Sequence, residues 1–150
     1  MAGDSIYERM KSDLGKATTP VTYDVEKGHV RYFAESIGDP NPLWRDEIYS
    51  RNTPHGGIAV PPTFTRAFRP SDEDESQPRD SEERVLDAGS EYEYFAPIKI
   101  GDKITVVSKI AEVFQKDGRL GSMTFQVKEI SFTNQFGQVV ATRRDTGIYY

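Results

Sequence analysis

Two runs in the first half of the chain, GDPNPLWRD at 38–46 and HGGIAVPPTF at 55–64, limit its folding more than any other feature. Their four prolines lack the backbone donor that a helix or a sheet ladder needs, and their three glycines favour dihedrals that regular elements do not use. No continuous helix or strand can cross this stretch, so the segments on either side must be organised separately. Rigid, irregular backbone that carries polar side chains between regular elements is also where sites tend to be built.

Upstream of the stretch the pattern is helical. Residues 5–14 place Ile6, Met10 and Leu14 at four-residue spacing, which predicts a short helix stopped by Gly15. Residues 21–23 read as a brief strand. Asp24 is a suitable cap for a helix whose apolar face is Val30, Phe33, Ala34 and Ile37, with Gly38 as its stop. A short helix over 46–51 is expected, and another opened by Pro61 or Pro62 runs over 63–68 before Pro70. Beyond Leu86 the pattern changes to strands, over 90–95, 104–114, 122–133 and 138–149. Turns are expected at 101–102, at 116–119 (the hairpin sequence KDGR) and at 134–137. Met123, Phe125 and Val127 alternate in one phase, Ile130 and Phe132 in the other, so a bulge or burial on both faces is expected there. Helices followed by an antiparallel meander define an α+β fold with one curved sheet packed on helices. The free edges of such a sheet make dimerisation through them a natural outcome.

Composition removes several classes of function. A chain of 150 residues is expected to form one domain, 1–150, with a core of its own. Without cysteine, a disulfide framework, a zinc-thiolate site and thiol catalysis are excluded together. The net charge is −5, and residues 71–84 (SDEDESQPRDSEER), with seven acids and two arginines, account for all of it. That segment is expected to be a solvated, flexible loop. The rest of the chain is balanced and offers no basic stripe for phosphates, so no nucleic-acid partner is expected. No hydrophobic leader segment precedes the first helix, and no run reaches the ~20 apolar residues of a membrane helix. The expectation is a soluble, cytoplasmic protein with no membrane partner.

The same residues carry a family resemblance. GDPNPL at 38–43 resembles the hydratase motif of the MaoC-like hot-dog proteins. GIAVPPTF at 57–64 is similar to the segment that opens the central helix in their N-terminal, FAS1-like dehydratase-domain branch. Phe33-Ala34, EYEYFAP at 91–97 with Gly101-Asp102, and GRLG at 118–121 extend the match over about residues 14–149. The resemblance implies a hot-dog fold, a long antiparallel sheet wrapped around a central helix and dimerised so that two sheets run together. It also implies hydration of a trans-2-enoyl thioester, or dehydration of a 3-hydroxyacyl thioester. The substrate would be an acyl-CoA or acyl-carrier thioester, with no cofactor and no metal. In this chemistry an Asp and a His five residues apart orient water and take its proton, while a backbone N–H near the central helix polarises the thioester carbonyl.

Asp39 matches the acid of that pair, but the residue five positions on is Trp44. An indole N–H donates a hydrogen bond and cannot accept a proton. Loss of one general base costs ~10²–10⁴ in rate. Each candidate also has a plainer reading. Asp39 can cap the turn after Gly38, Asn41 can hold that turn, Trp44 can be packing, and Gly56, Gly57 and Ile58 can be a tight turn. Functionally, Asp39 is the candidate base, with His55 as a possible substitute for the missing imidazole. Asn41, Trp44, Gly56, Gly57 and Ile58 are candidates for contact with substrate. The resemblance then implies the acyl-binding half of a hydratase or dehydratase, in a homo- or heterodimer with another hot-dog subunit. The alternatives are an active homodimeric (R)-specific enoyl-CoA hydratase using Asp39 with His55, or a non-enzymatic thioester-binding scaffold. Because Pro70 follows Phe68 so closely, the central helix is expected to be short and to leave room for a long or polycyclic acyl tail.

Overall fold

The β-branched and aromatic runs form one antiparallel sheet in the computed structural model, which describes residues 5–73, 84–119 and 121–150. Its strands are β1 (Val21–Asp24), β2 (Val85–Tyr94), β3 (Lys103–Gly118), β4 (Gly121–Thr133) and β5 (Val139–Tyr149), in the order β1-β3-β4-β5-β2. The helices are α1 (Ile6–Ser12), α2 (Lys27–Ser36) and α3 (Glu47–Arg51), with 3-10 turns at Pro42–Trp44, Pro62–Ala67 and Ser71–Glu73. Among the described residues no helix is long and apolar enough to cross a membrane.

One face of the sheet carries the core. Ile104, Val106, Ile130, Phe132 and Ala141 are completely buried there, and α2 contributes Val30 to the cluster and packs Phe33 against it, with Ala34 also buried. Ile37 completes that apolar stripe in sequence but stays half exposed. The wrapped element is the 3-10 helix Pro62–Ala67. Pro61 and Pro62 open it, i to i+3 bonds such as Phe64 N–H to the Pro61 carbonyl (2.9 Å) carry it, and Pro70 prevents a longer run. Phe64, fully buried, is its anchor. Its ring lies 4.9 Å from His29, 5.3 Å from Phe33 and 5.2 Å from Phe68, all edge-to-face. Phe68 in turn reaches Tyr23 and Phe132. This aromatic chain holds the irregular segment onto the sheet.

Several local expectations shift. The first helix ends at Ser12, because Leu14 bridges to Ile110 and the Gly15 N–H bonds the Ile110 carbonyl at 2.9 Å. Asp24 does not cap α2. Its carboxylate is taken by Lys103 at 2.6 Å and Glu26 occupies the cap position without a side-chain bond. β2 begins at Val85 because Val85 and Leu86 pair with Tyr149 and Ile148, past a bulge between Asp87 and Gly89. In the β3–β4 hairpin Lys116 and Asp117 are ladder residues, and the turn lies between the paired Gly118 and Gly121. The expected irregularity is on β3, between Ile110 and Glu112 opposite Val127, while β4 is buried on both faces at Val127 and Ile130. Of the expected flexible loop, residues 74–83 lie outside the described residues.

Candidate functional site

The loop after α2 is built around Asp39. Gly38 has φ +67°, a conformation glycine adopts without strain, and the turn lets the Asp39 N–H bond the Ala34 carbonyl at 2.9 Å. Both carboxylate oxygens of Asp39 are engaged. Oδ1 accepts the Asn41 N–H at 3.0 Å, and Oδ2 accepts the Trp44 indole N–H at 2.8 Å. Arg45 donates to the Asp39 carbonyl at 3.1 Å. Asn41 Oδ1 accepts the Leu43 N–H at 3.0 Å and so starts the 3-10 turn that aims Trp44 back at Asp39. The loop is braced from α3. Asp46 caps that helix through the Tyr49 N–H, and the buried Ser50 hydroxyl donates to the Leu43 carbonyl at 3.0 Å. Lys27 on α2 donates to Glu47 on α3 at 2.7 Å, and this bond, with the lysine charge, holds the glutamate below its ordinary pKa.

The second run forms the other wall. Ile58 to Val60 lies alongside Ile98 to Ile100, through Val60 N–H to the Ile98 carbonyl (2.9 Å) and Ile100 N–H to the Ile58 carbonyl (3.2 Å). Ile58 itself is core, 5% exposed. Gly56, at φ +67°, spends its N–H on the Thr53 carbonyl at 3.0 Å. The Gly57 and Ile58 N–H groups have no acceptor among the described residues.

Between these walls and the end of β2 lies a groove of about 360 Å³, lined mainly by carbon. Leu43, Trp44, His55, Tyr94, Phe95 and Pro97 are among the residues that line it. The structure thus brings Trp44 and His55 to one groove, with Asp39 behind the indole. Gly56, Gly57 and Ile58 line a different depression of about 290 Å³, with Glu47, Arg51 and Lys99. Asn41 sits in the loop and lines neither.

Sequence reasoning passed over Tyr94. Its hydroxyl donates to the Pro62 carbonyl at 3.0 Å, tying β2 to the start of the wrapped 3-10 helix. Burial raises its pKa, so it remains a neutral donor. The signal was the period of two in EYEYF, which places Tyr92 and Tyr94 on one face, where their rings stack 5.9 Å apart. Among the described residues no group of acids and histidines could hold a metal ion.

A second cavity, of about 370 Å³, lies beside the short 3-10 helix and has a polar lining, including Arg66, Asp87, Ser90, Gln126 and Lys128. Arg143, only 1% exposed, sits behind it between Glu73 (2.8 Å) and Asp145 (2.7 Å).

The family described as FAS1-like, dehydratase domain region, matches residues 12–143. A protein of Streptomyces avermitilis called UPF0336 protein is 30% identical over 108 residues, covering 69% of this chain and 72% of its own length. The probable enoyl-CoA hydratase alpha subunit of Thermomonospora curvata is 24% identical, over 96% of this chain and 51% of that protein. Among solved structures, the ChsH1-ChsH2 complex from Mycobacterium tuberculosis superposes with a TM-score of 0.77 at 18% identity, covering 95% of this chain and 87% of that one. The MaoC-like dehydratase from Rhodospirillum rubrum gives 0.70 at 19% identity, over 91% and 92%. At those identities the structures speak for the fold, and the sequence match speaks for the family. The chain belongs to the FAS1-like dehydratase domain region family and has the MaoC-like hot-dog fold.

Proposed function

We propose that this chain is the acyl-binding subunit of an enoyl-thioester hydratase or 3-hydroxyacyl-thioester dehydratase, and that its hot-dog partner carries the catalytic Asp and His. One observation carries the reading: Trp44, at the place of the histidine, donates its indole N–H to Asp39 Oδ2 at 2.8 Å. A general base must reach the proton it takes. Here the second group of the pair donates instead of accepting, and Asn41 occupies the other carboxylate oxygen. Asp39 serves as the post that orients Trp44. The adjoining groove has the apolar character that an acyl chain or the pantetheine arm requires, with Trp44 and Tyr94 as flat walls. The alpha-subunit name of one relative and the two-chain complex of one structural neighbour favour a dimer of unlike chains.

The test is hydration of crotonyl-CoA and of a longer enoyl-CoA by the purified chain, alone and with a hot-dog partner that carries Asp and His at five-residue spacing. The expected result is no turnover alone and turnover with the partner. In that pair Asp39→Asn has little effect, while loss of the partner's histidine lowers the rate ~10²–10⁴-fold. Turnover by the chain alone that is lost on Asp39→Asn would defeat the proposal. A second reading rests on His55, which lines the same groove as Trp44. It requires that His55→Ala abolish turnover by the chain alone. Thioester binding with no turnover in any pairing would leave a scaffold.

A further inference from the structure

Among the described residues the far side of β2 is an open edge of the sheet. There β2 pairs with β5 on one side only, runs ten residues and is exposed along almost its whole length. Such an edge is a template for another strand. Val85, Leu86, Tyr94 and Phe95, each about half exposed, supply apolar area beside it. The charges on the strand decide which partner can use that template. Tyr92 and Tyr94 lie across from the buried Arg143 and Ala141, on the core face, so Glu91 and Glu93 project from the opposite face. Both glutamates are exposed, and neither has an ion-pair partner among the described residues. Arg144, the cross-strand neighbour of Glu91, is held by Glu112 at 2.8 Å and Glu129 at 3.7 Å, and Glu93 faces Thr142.

Past its bulge β2 is regular from Gly89 to Tyr94, and pairing two copies antiparallel about a twofold axis in the middle of that run, at residues 91–93, brings these acids together. With the axis at Glu91 that residue meets itself, at Tyr92 it meets Glu93 twice, and at Glu93 that residue meets itself. Like charges directly opposite each other destabilise a strand pair. We infer that the β2 edge disfavours a second copy of this chain and selects a different hot-dog chain whose pairing strand carries Lys or Arg on the matching face. This rests on the subunit reading above and names the partner's chemistry. The apolar edge supplies association, and the two unpaired carboxylates supply discrimination.

Sedimentation velocity on the wild type, on E91K/E93K and on their equimolar mixture tests it, at about 10 mM and about 1 M salt, where charges reach about 30 Å and about 3 Å. The mixture is expected to form a 1:1 dimer roughly tenfold tighter than either chain forms alone at low salt. The difference should shrink at high salt. The neutral E91Q/E93Q variant is expected to self-associate several-fold more tightly than the wild type, with an unchanged circular dichroism spectrum. A wild-type homodimer as tight as the mixed dimer at low salt, or an E91Q/E93Q variant no tighter than wild type, overturns the inference. Association is read here and hydration is not, so this failure is separate from failure of the catalytic reading.

Discussion

Trp44 holds Asp39 through a bond that the backbone of the loop does not require. The turn that follows Gly38 needs only Asp39 and Asn41 as local acceptors, and both act in that way. The indole then supplies the donor that Asp39 Oδ2 would otherwise lack in a half-buried loop. A hydrogen bond to a charged group is worth about 1.5–3 kcal/mol. Trp44→Phe keeps the aromatic wall and removes the donor, so it should lower unfolding stability by about that amount, measured as a shift in urea midpoint at constant slope. Trp44 is also the one tryptophan in the chain and lines the apolar groove. An acyl-CoA that enters the groove should change its fluorescence, and one that binds only elsewhere should not.

At the level of elements, the irregular stretch is fixed by two different forces. The Phe33–Phe64–Phe68 chain of rings anchors the wrapped 3-10 helix to the core, and Phe64→Ala should cost about 3–5 kcal/mol in unfolding free energy. The Lys27–Glu47 bond ties α2 to α3 across the Asp39 loop. Its contribution depends on pH in one direction. The folded-state pKa of Glu47 is depressed, chiefly by the Lys27 hydrogen bond, so the stabilisation is present above the unfolded glutamate pKa. It is lost as pH falls through the folded value. Glu47→Gln should therefore be less stable than the wild type at neutral pH and converge with it below the carboxylate range, in urea melts across that interval. Arg143 is a different case. Buried between Glu73 and Asp145, it leaves two carboxylates unpaired when truncated, and Arg143→Ala should cost about 3–5 kcal/mol.

For the whole molecule, the groove sits next to the open edge. Tyr94 and Phe95 line the groove, and Tyr94 is the last residue of the exposed strand β2. A second hot-dog chain seated on that edge would lie beside the groove, and under the proposed function assembly and thioester binding would then be coupled. Tyr94→Phe removes the hydroxyl bond to the Pro62 carbonyl while keeping the ring. In the mixed dimer it should weaken thioester binding by a few-fold through a less fixed wall, about 1 kcal/mol, and leave the turnover number nearly unchanged. A large loss of turnover with unchanged binding would instead place the hydroxyl in the chemistry.

The sequence by itself determined the order of elements, the α+β class, the place of the loop and the tryptophan five residues after Asp39. Each follows from local chemistry: apolar spacing, proline and glycine positions, and the inability of indole to take a proton. Boundaries shifted where a long-range partner overrode a local preference, as when Lys103 took Asp24 away from its cap and Ile110 drew Leu14 out of α1. The same limit governs the site. His55 and Trp44 line one groove while the glycines beside His55 line another depression, because pairing with Ile98 to Ile100 turns that backbone toward Lys99. Tyr94 enters the groove only because β5 carries β2 to the sheet edge beside Pro62. Spacing along a chain fixes which residues share a face, whereas which faces meet depends on strand order and register, and these arise from contacts between residues far apart in sequence.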